Sequence, residues 1–356
     1  MTTKENKDKC FDSLKLIAFY LPQFHPIPEN DEWWGAGFTE WDNVQSALPG
    51  FSGHNQPRIP AKTLGYYDLR QERVQSMQAA IARRYGLYGF CYYYYWFGGK
   101  KLLETPMTNL INSGKPDFPF CICWANHDWT RAWYGQNKQV LIGQDYSPES
   151  MRKFILDLEP ILKDPRYITI EGRPVVCVYQ AEELPDPKGI TNLWRKEAHR
   201  LGINDLYLVN IEALCWDYPP SSFGFDASIE FAPDWRSTGE LLDSESKPRR
   251  VDYRSTVANM ILKPKPEYKR FRGVFPQWDN TPRYKKAALV FENSNPGIFS
   301  YHLKSMMEYT IENFQEDERL IFINAWNEWG EGCYLEPCET YGYSYLDAIK
   351  YLFERY

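Results

Sequence analysis

Positive charge and long apolar runs are both scarce in this sequence. Its 356 residues include 41 Lys and Arg against 47 Asp and Glu, a net charge of −6. Proteins that bind polyanions usually carry a basic surplus, so nucleic acid is not an expected partner. No run approaches the ~18 apolar residues of a membrane helix, so we expect no membrane span. Residues 1–10 are charged and lack the apolar core of a signal peptide, which predicts a cytoplasmic location.

Metal-binding and nucleotide-binding signatures are also missing. The eight Cys include no Cys-x-x-Cys pair, and no His-Glu-x-x-His sequence is present. We therefore expect no metal and no other cofactor. Cys91, Cys121, Cys123 and Cys177 lie in apolar segments, where they are typical of reduced core residues. No Gly-x-Gly-x-x-Gly or P-loop sequence supports a nucleotide-binding sheet.

Aromatic residues, in contrast, are abundant. The chain contains 13 Trp, 26 Tyr and 20 Phe. Aromatic faces stack on the C–H faces of sugar rings, and Tyr and Trp also donate hydrogen bonds. A core rich in Trp and Tyr would give the same composition, so composition alone leaves a carbohydrate cleft and an aromatic core equally open.

Short apolar runs recur along the whole chain. Continuous rather than alternating apolarity is typical of parallel strands, because both faces of such a sheet are covered. The sixth and seventh runs are the least distinct. The eight predicted strands are 14–21, 88–94, 118–124, 174–179, 206–212, 227–231, 273–275 and 320–325.

Helical patterns separate several of these strands. They occur at 71–85, 148–162, 191–201 and 299–314. Alternating strands and helices predict a parallel α/β fold, and eight strands favour a closed TIM-type (β/α)8 barrel over an open sheet. We expect a single barrel domain over residues 1–356. The long charged stretch 235–272 is predicted to be a loop excursion between strands six and seven, whose role the sequence leaves open.

Polar and aromatic residues follow nearly every predicted strand. In a barrel the carboxyl ends of all strands meet on one rim, where function collects. We therefore expect these side chains, together with the aromatic clusters at 33–34, 92–96 and 124–133, to line one substrate groove. The candidate substrate-binding residues are Gln23, His25, Trp33, Trp34, Tyr94, Trp96, Trp124, Asn126, His127, Trp129, Arg131, Tyr179, Glu212, Glu230, Asp279, Asn327, Trp329 and Glu336. For His25 and His127 a structural, hydrogen-bonded role is an equally ordinary explanation.

The strongest chemical signal is a pair of glutamates after the eighth strand. Glu328 and Glu331 bracket Trp329, and Gly330 and Gly332 permit a sharp backbone path between and after them. Glycoside cleavage needs two carboxyl groups, one to protonate the leaving oxygen and one to handle the nucleophile. We therefore predict that Glu328 and Glu331 are catalytic. A solvated acidic loop is the alternative explanation of the same spacing.

Several motifs together extend over residues 14–350. They are AFYLPQFHP at 18–26, EWWG at 32–35, GFTEWDN at 37–43, YGFCY at 88–92, YWF at 95–97, FPFC at 118–121, WAN at 124–126, WTR at 129–131, FINAWNEW at 322–329, EG at 331–332 and LEP at 335–337. With these motifs the chain resembles the WbsX-type proteins of bacterial polysaccharide loci, which are related to glycoside hydrolase family 99.

The resemblance implies a (β/α)8 barrel and a particular chemistry. Family 99 enzymes are retaining endo-α-mannosidases in which no carboxylate attacks the sugar. By resemblance, Glu328 would remove the proton of the substrate 2-OH, which displaces the leaving group to give a 1,2-anhydro sugar. Glu331 would protonate the leaving oxygen and then activate water to open the epoxide. This route requires a 2-OH trans to the leaving group, as in α-mannosides.

Two positions depart from the family pattern, and three functions remain open. Related chains often carry His where Tyr94 stands and Glu where His127 stands, so substrate preference is expected to differ. The first function is a retaining glycoside hydrolase or transglycosylase acting on an oligo- or polysaccharide. The second is a glycosyltransferase of O-antigen, lipopolysaccharide or capsule biosynthesis, with polysaccharide-assembly enzymes as partners. The third is a glycan-binding barrel without activity, against which the intact Glu pair argues.

Overall fold

Eight parallel strands close into a barrel in the computed structural model, which describes residues 13–131, 136–214, 218–243 and 247–355. The first strand pairs with both the second and the last, as the register pairs Phe19 with Cys91 and Ala18 with Ile323 show. The predicted (β/α)8 barrel is therefore confirmed. Its strands are β1 (Lys15–Tyr20), β2 (Gly89–Phe97), β3 (Phe120–Trp124), β4 (Arg173–Val178), β5 (Tyr207–Glu212), β6 (Ala227–Glu230), β7 (Arg270–Val274) and β8 (Leu320–Ile323).

Helices connect most of these strands and cover the barrel. The four predicted helices correspond to α3, α5, α6 and α9 below; α5 has the predicted ends, and the ends of the other three differ by one to four residues. The described crossover from β5 to β6 contains a 3-10 turn, Pro220–Phe223. The helices are α1 (Pro28–Trp34), α2 (Glu40–Ser46), α3 (Glu72–Arg84), α4 (Thr105–Ser113), α5 (Pro148–Leu162), α6 (Pro187–Arg200), α7 (Tyr253–Leu262), α8 (Thr281–Tyr284), α9 (Pro296–Asn313) and α10 (Ser344–Arg355).

The apolar strand sequences serve two packing layers. Alternate side chains of a strand point to opposite faces, one into the barrel and one towards the helices. On β3, for example, the Trp124 ring packs against Phe154 of α5 and Trp194 of α6. Cys121 and Cys123 have the opposite parity and are also fully buried. Because both faces are covered, β3 is buried along its whole length.

The stretch 235–272 is more ordered than the predicted excursion. It contains the short strands Leu241–Asp243 and Arg249–Asp252, the helix α7, and the start of β7 at Arg270. Strand Arg249–Asp252 pairs with Leu289–Glu292 in a small separate sheet. The start of β7 was not predicted, because its first residues include Arg270 and Arg272. These two arginines are buried because they form ion pairs with acidic neighbours.

The remaining strands are short and lie in the connections. They are Lys100–Leu102, Trp129–Arg131, Gln136–Ile142, Thr169–Ile170, Asn327–Glu328 and Cys333–Tyr334. Within the described ranges, no helix combines the length and apolarity that crossing a membrane requires.

Candidate active site

A cavity of about 530 Å³ lies at the carboxyl ends of the barrel strands. Side chains from the end of each of the eight strands, or from the loop that follows it, line the cavity, as expected for the rim that carries the site in barrel enzymes. Seven of the residues predicted from the sequence lie in its wall: Gln23, Trp34, His127, Trp129, Tyr179, Glu328 and Glu331. Substrate contacts for these residues stay a prediction.

The two glutamates lie on a tight turn directly after β8. Residues Asn327–Glu328 pair with Cys333–Tyr334, and the 3-10 turn Trp329–Glu331 joins these two short strands. Gly332 closes the turn with φ of +57°, a conformation that an L side chain rarely adopts. Both carboxylates consequently reach the same cavity from a single turn of chain, Glu328 buried and Glu331 partly exposed.

Arg283 connects the two glutamates and a third carboxylate. Its Nη2 donates to Glu328 Oε2 at 3.0 Å, its Nη1 donates to Glu331 Oε1 at 2.8 Å, and its Nε donates to Glu40 Oε1 at 2.8 Å. Arg283 belongs to α8 after β7, whereas Glu40 is the first residue of α2 after β1. Three loops of the rim therefore meet at one buried guanidinium.

Burial and mutual repulsion make the pair hold protons tightly. Burial raises the pKa of Glu328 to about 8; the Arg283 charge opposes this rise, and the charges of Glu331 and Glu40 add to it. Burial also raises the pKa of Glu331, again against the Arg283 charge. Two interacting carboxylates lose their protons in separate steps. The pair thus retains one proton near neutral pH, as a general acid beside a base requires.

Asp279 supports the turn from below without lining the cavity. Its backbone N–H donates to the Glu331 carbonyl at 2.7 Å. Its carboxylate accepts from His54 Nε2 at 2.8 Å and Gln56 Nε2 at 2.6 Å. Although burial opposes ionisation, the His54 hydrogen bond and the Arg58 charge lower the pKa of Asp279 to about 2. The predicted substrate contact is therefore replaced by a structural connection between the β7 and β8 loops.

Aromatic rings form a continuous arc along one side of the cavity. Tyr93, Tyr179, Phe231, Trp235 and Trp278 follow one another with centroid distances of 6.2, 6.0, 6.2 and 4.9 Å. All five line the cavity. The Trp278 indole N–H is buried without a hydrogen-bond partner. The arc offers apolar ring faces to whatever occupies the cavity.

The aromatic cluster on β2 needs a correction. Tyr93 and Tyr95 line the cavity, and Tyr95 accepts a hydrogen bond from Gln23 Nε2 at 3.0 Å. The predicted Tyr94 and Trp96 have the opposite parity and pack against Phe154 of α5. Trp124 of β3 also packs there, for the same reason. The rings of Tyr94, Trp96 and Trp124 thus belong to the layer between barrel and helices, because strand alternation sends every second side chain outwards.

Several other predicted residues lie outside the cavity wall because neighbouring groups hold them elsewhere. Asn126 accepts from Gln180 N and donates to Gln180 O, each at 2.8 Å. Asn327 exchanges similar bonds with the backbone of Leu21. His25 is buried, with Nδ1 3.1 Å from Pro26 O.

Two buried acids and two tryptophans complete this group. Glu212 pairs with Arg270 at 3.5 Å, and Glu230 pairs with Arg272 at 2.7 Å. Trp329 is buried and donates to Glu336 at 2.7 Å. Trp33 packs edge-on against Trp129 behind the cavity wall. The side chain of Arg131 and the ring of Trp133 in the predicted cluster lie outside the described residues.

The cavity also contains residues that the sequence did not single out. Arg283, Tyr93, Tyr95, Phe231, Trp235 and Trp278 line it, and Glu40 lies directly behind it. Tyr93 and Tyr95 could have been found from strand parity, counted back from a fixed strand end. Arg283 and Glu40 gave no such signal, since they are 243 positions apart.

One group of thiols has the spacing of metal ligands among the described residues. The sulfur atoms of Cys91, Cys121 and Cys177 lie within 4.8 Å of one another, and all three residues are buried. None of the three lines the cavity. The expectation that the site works without a metal stays a prediction.

Comparison with known proteins places the chain in a family. The family model described as Glycosyltransferase WbsX matches residues 16–349. The chain belongs to the WbsX family. Uncharacterized proteins WxcX from two strains of Xanthomonas campestris pv. campestris are 40% identical to it over 342 residues. These matches cover 94% of this chain and 49% of each relative, so the chain spans about half the length of the curated relatives it matches.

Solved structures share the barrel. The GH99 endo-alpha-mannosidase from Bacteroides thetaiotaomicron aligns with a TM-score of 0.61 at 15% identity, covering 96% of this chain and 97% of that one. The same enzyme in complex with BIS-TRIS-propane aligns with a TM-score of 0.60 at 14% identity, covering 96% of both chains. At such low identity the likeness establishes the fold, and the family membership confirms the resemblance found in the sequence.

Proposed function

We propose that this WbsX-family chain is a carbohydrate-active enzyme of bacterial surface polysaccharide metabolism that uses Glu328 and Glu331 on glycosidic bonds. The observation that carries the proposal is the shared Arg283 guanidinium, which holds both carboxylates on one side of an aromatic-lined cavity. One proton on this pair supplies an acid and a base together. We also propose a reducing, cytoplasmic location, because the six cysteines that the structure describes are free thiols.

The family resemblance implies a retaining reaction through the substrate 2-OH, and the position of both glutamates on one turn is compatible with that route. Burial raises the pKa of Glu328 to about 8, so the proton of the pair must pass to Glu331 before the first step. In that step Glu328 takes the 2-OH proton, O2 bonds to C1, and the C1–oxygen bond to the leaving group breaks. Glu331 gives its proton to that leaving oxygen. The product is a 1,2-anhydro sugar, which needs a 2-OH trans to the leaving group, as in an α-mannoside. The acceptor of the 2-OH proton and the donor to the leaving oxygen can come from one turn, since O2 and the glycosidic oxygen are on adjacent carbons.

The second step reverses the proton roles. Glu331, now ionised, takes a proton from a water molecule whose oxygen bonds to C1. The C1–O2 bond breaks, and O2 recovers its proton from Glu328. If a sugar hydroxyl replaces water, the same step forms a new glycosidic bond. Hydrolysis and transglycosylation therefore use the same two glutamates, and the acceptor decides between them.

A second candidate function is supported by the family description, Glycosyltransferase WbsX. In that case the donor would be a sugar nucleotide, and association with polysaccharide-assembly enzymes would be expected. The aromatic arc would then bind the acceptor glycan. The two functions differ in the leaving group, which is a sugar hydroxyl in one and a nucleoside diphosphate in the other.

The test compares the wild type with Glu328→Gln and Glu331→Gln. Probes are α-mannosyl oligosaccharides, α-mannosyl fluoride and a panel of bacterial surface glycans, with glycan binding measured separately. Glu328→Gln is expected to lose activity on all glycosides and keep binding. Glu331→Gln is expected to lose activity mainly on oligosaccharides, because fluoride needs little protonation on leaving.

Full oligosaccharide activity in either Gln variant would refute the assignment. A wild type that is inactive on every glycoside and transfers sugar from a sugar nucleotide would establish the second function instead. A wild type that binds glycans and catalyses neither reaction would leave only a binding role.

A further inference from the structure

We propose that Glu40 is a positioning residue that fixes the orientation of Arg283 towards Glu328 and Glu331. The proposal rests on the proposed function of that pair. Glu40 belongs to the GFTEWDN segment at 37–43.

Glu40 is buried although it lies at the start of a helix. It is the first residue of α2, and Thr39 caps that helix through a reciprocal pair of hydrogen bonds with Asp42. Its backbone N–H donates to Gln23 O at 3.2 Å, which ties the start of α2 to the cavity wall. Only 1% of Glu40 is exposed. An acid at this helix position would ordinarily face water, so its burial requires a partner inside the protein.

That partner is Arg283, through the nitrogen that faces away from the catalytic pair. Glu40 Oε1 accepts from Arg283 Nε at 2.8 Å. The guanidinium is planar and rigid, so fixing Nε also fixes the direction of Nη1 and Nη2. These two nitrogens bond Glu331 and Glu328. Glu40 itself does not line the cavity, so its effect on a substrate passes through Arg283.

The space around Gly330 gives independent support. A Cβ at Gly330 would overlap Glu40 Oε1 and would lie 2.9 Å from Arg283 Nε. The Glu40 carboxylate thus packs against the backbone between the two catalytic glutamates. The second oxygen, Glu40 Oε2, is buried without a hydrogen-bond partner. An uncompensated acceptor at this place is costly in a purely structural ion pair, and it leaves negative charge close to the pair.

The charge of Glu40 acts on the pair in a definite direction. It raises the pKa of both Glu328 and Glu331, while Arg283 lowers the pKa of both. Removing the negative charge of Glu40 would therefore leave the Arg283 charge less balanced. The single proton of the pair would then be lost at a lower pH.

Two substitutions separate orientation from charge. Glu40→Ala removes the acceptor of Arg283 Nε, and kcat is expected to fall about 10- to 100-fold with little change in KM. Glu40→Gln keeps an amide oxygen for Nε and removes the charge. It should recover most of kcat at acidic pH, while the alkaline limb of its pH profile moves to lower pH. Glu318→Gln is the control: Glu318 is another buried glutamate, bonded to Tyr207 at 2.8 Å beside the start of β8.

A second measurement needs no substrate. Glutamate labelled with ¹³C at the carboxyl carbon is titrated by NMR, and the two signals are assigned with Glu328→Gln and Glu331→Gln. Glu40→Gln should lower the upper apparent pKa of the pair, and Glu318→Gln should not. This readout still decides the role of Glu40 if the wild type proves inactive on every glycoside, a result that would overturn the proposed function alone.

Wild-type pH profiles and an unchanged carboxyl titration in the Glu40 variants would overturn the proposal. So would a variant with a lower Tm and no change in profile or titration, because a merely structural ion pair predicts that pattern.

Discussion

Glu336 accepts the indole N–H of Trp329 at 2.7 Å and so holds the residue that lies between Glu328 and Glu331. The same carboxylate accepts from Tyr67 at 2.8 Å and from Gln78 at 2.7 Å. The Trp329 ring also stacks on Tyr334 with centroids 3.7 Å apart. The turn Trp329–Glu331 is therefore held in place by the buried carboxylate of Glu336, which accepts three hydrogen bonds.

Glu336→Gln should destabilise this anchor. The new amide nitrogen is a donor, and it would face a group that also donates. We expect the free energy of unfolding to fall by about 1–3 kcal/mol, the usual cost of a buried unsatisfied polar group. Urea unfolding at neutral pH measures it. Tyr67→Phe, which removes one donor and leaves two, should cost less. Equal stability of Glu336→Gln and wild type would contradict the anchoring role.

The raised pKa of Glu328 predicts a pH-dependent cost of the active site. Its pKa rises from 4.5 to about 8 in the folded protein, so between these values the folded state binds more protons than the unfolded state. The contribution of this group to stability therefore decreases as pH rises through that window. Glu328→Gln cannot ionise, and it should be more stable than wild type at pH 8, on the order of 2–4 kcal/mol, with little difference at pH 4.

Thermal and urea unfolding of both proteins from pH 4 to pH 9 check this prediction. The difference must grow with pH. A constant difference, or one that shrinks at alkaline pH, would mean that Glu328 is ionised at little cost in the folded protein.

The fold was largely predictable from the sequence because buried parallel strands leave continuous apolar runs. The predicted strand 273–275 began three residues too late. Arg270 and Arg272 are buried through ion pairs that a local pattern does not reveal. The segment 235–272 looked like a loop for the same reason. Charged residues read as exposed unless the distant partners that neutralise them are known.

The candidate site was predictable where its chemistry is local. Glu328 and Glu331 share one turn, so their spacing was sufficient. Tyr93 and Tyr95 belong to the predicted aromatic cluster 92–96, but Tyr94 and Trp96 were named from it as site residues, because the inward parity of β2 depends on its register in the closed barrel. The role of Arg283 could not be predicted, because it depends on contacts between three loops. Its partners Glu40 and Glu328 are 243 and 45 positions away in the sequence.

Aromatic residues that line the cavity and those that pack between the barrel and its helices should respond differently to substitution. Trp235 lines the cavity beside Phe231 and Trp278, and Trp235→Ala should weaken glycan binding about 5- to 10-fold, since a stacked ring contributes about 1 kcal/mol. Its Tm should change little. Titration calorimetry with the best-bound glycan of the panel measures the affinity.

The matched variant is Trp96→Phe on the other side of the barrel wall. Trp96 donates to Asp157 Oδ2 at 2.8 Å and packs on Phe154. Loss of this hydrogen bond should lower stability by about 1 kcal/mol and leave glycan affinity unchanged. If Trp96→Phe weakens binding and Trp235→Ala does not, the assignment of the two faces is wrong.

Gly330 provides the sharpest steric prediction. Its Cβ position is occupied by Glu40 Oε1, and Arg283 Nε is 2.9 Å away. Both neighbours are held in an ion-pair network, so neither can move without disturbing the carboxylates of Glu328 and Glu331. Gly330→Ala should lower kcat about 100-fold and destabilise the protein by about 1–3 kcal/mol. Gly297→Ala, in the first turn of α9 with its nearest other atom 3.2 Å away, is the control and should retain wild-type kcat and Tm.

A double variant tests whether the clash is with Glu40. If the added methyl group collides with that carboxylate, shortening Glu40 must make room for it. Gly330→Ala combined with Glu40→Ala should then be more stable than the sum of the two single losses predicts, because neighbouring sites couple by about 0.5–3 kcal/mol. Urea unfolding of the wild type, both single variants and the double variant gives the coupling free energy. Strictly additive losses in the free energy of unfolding would show that a methyl group at Gly330 does not collide with the Glu40 carboxylate.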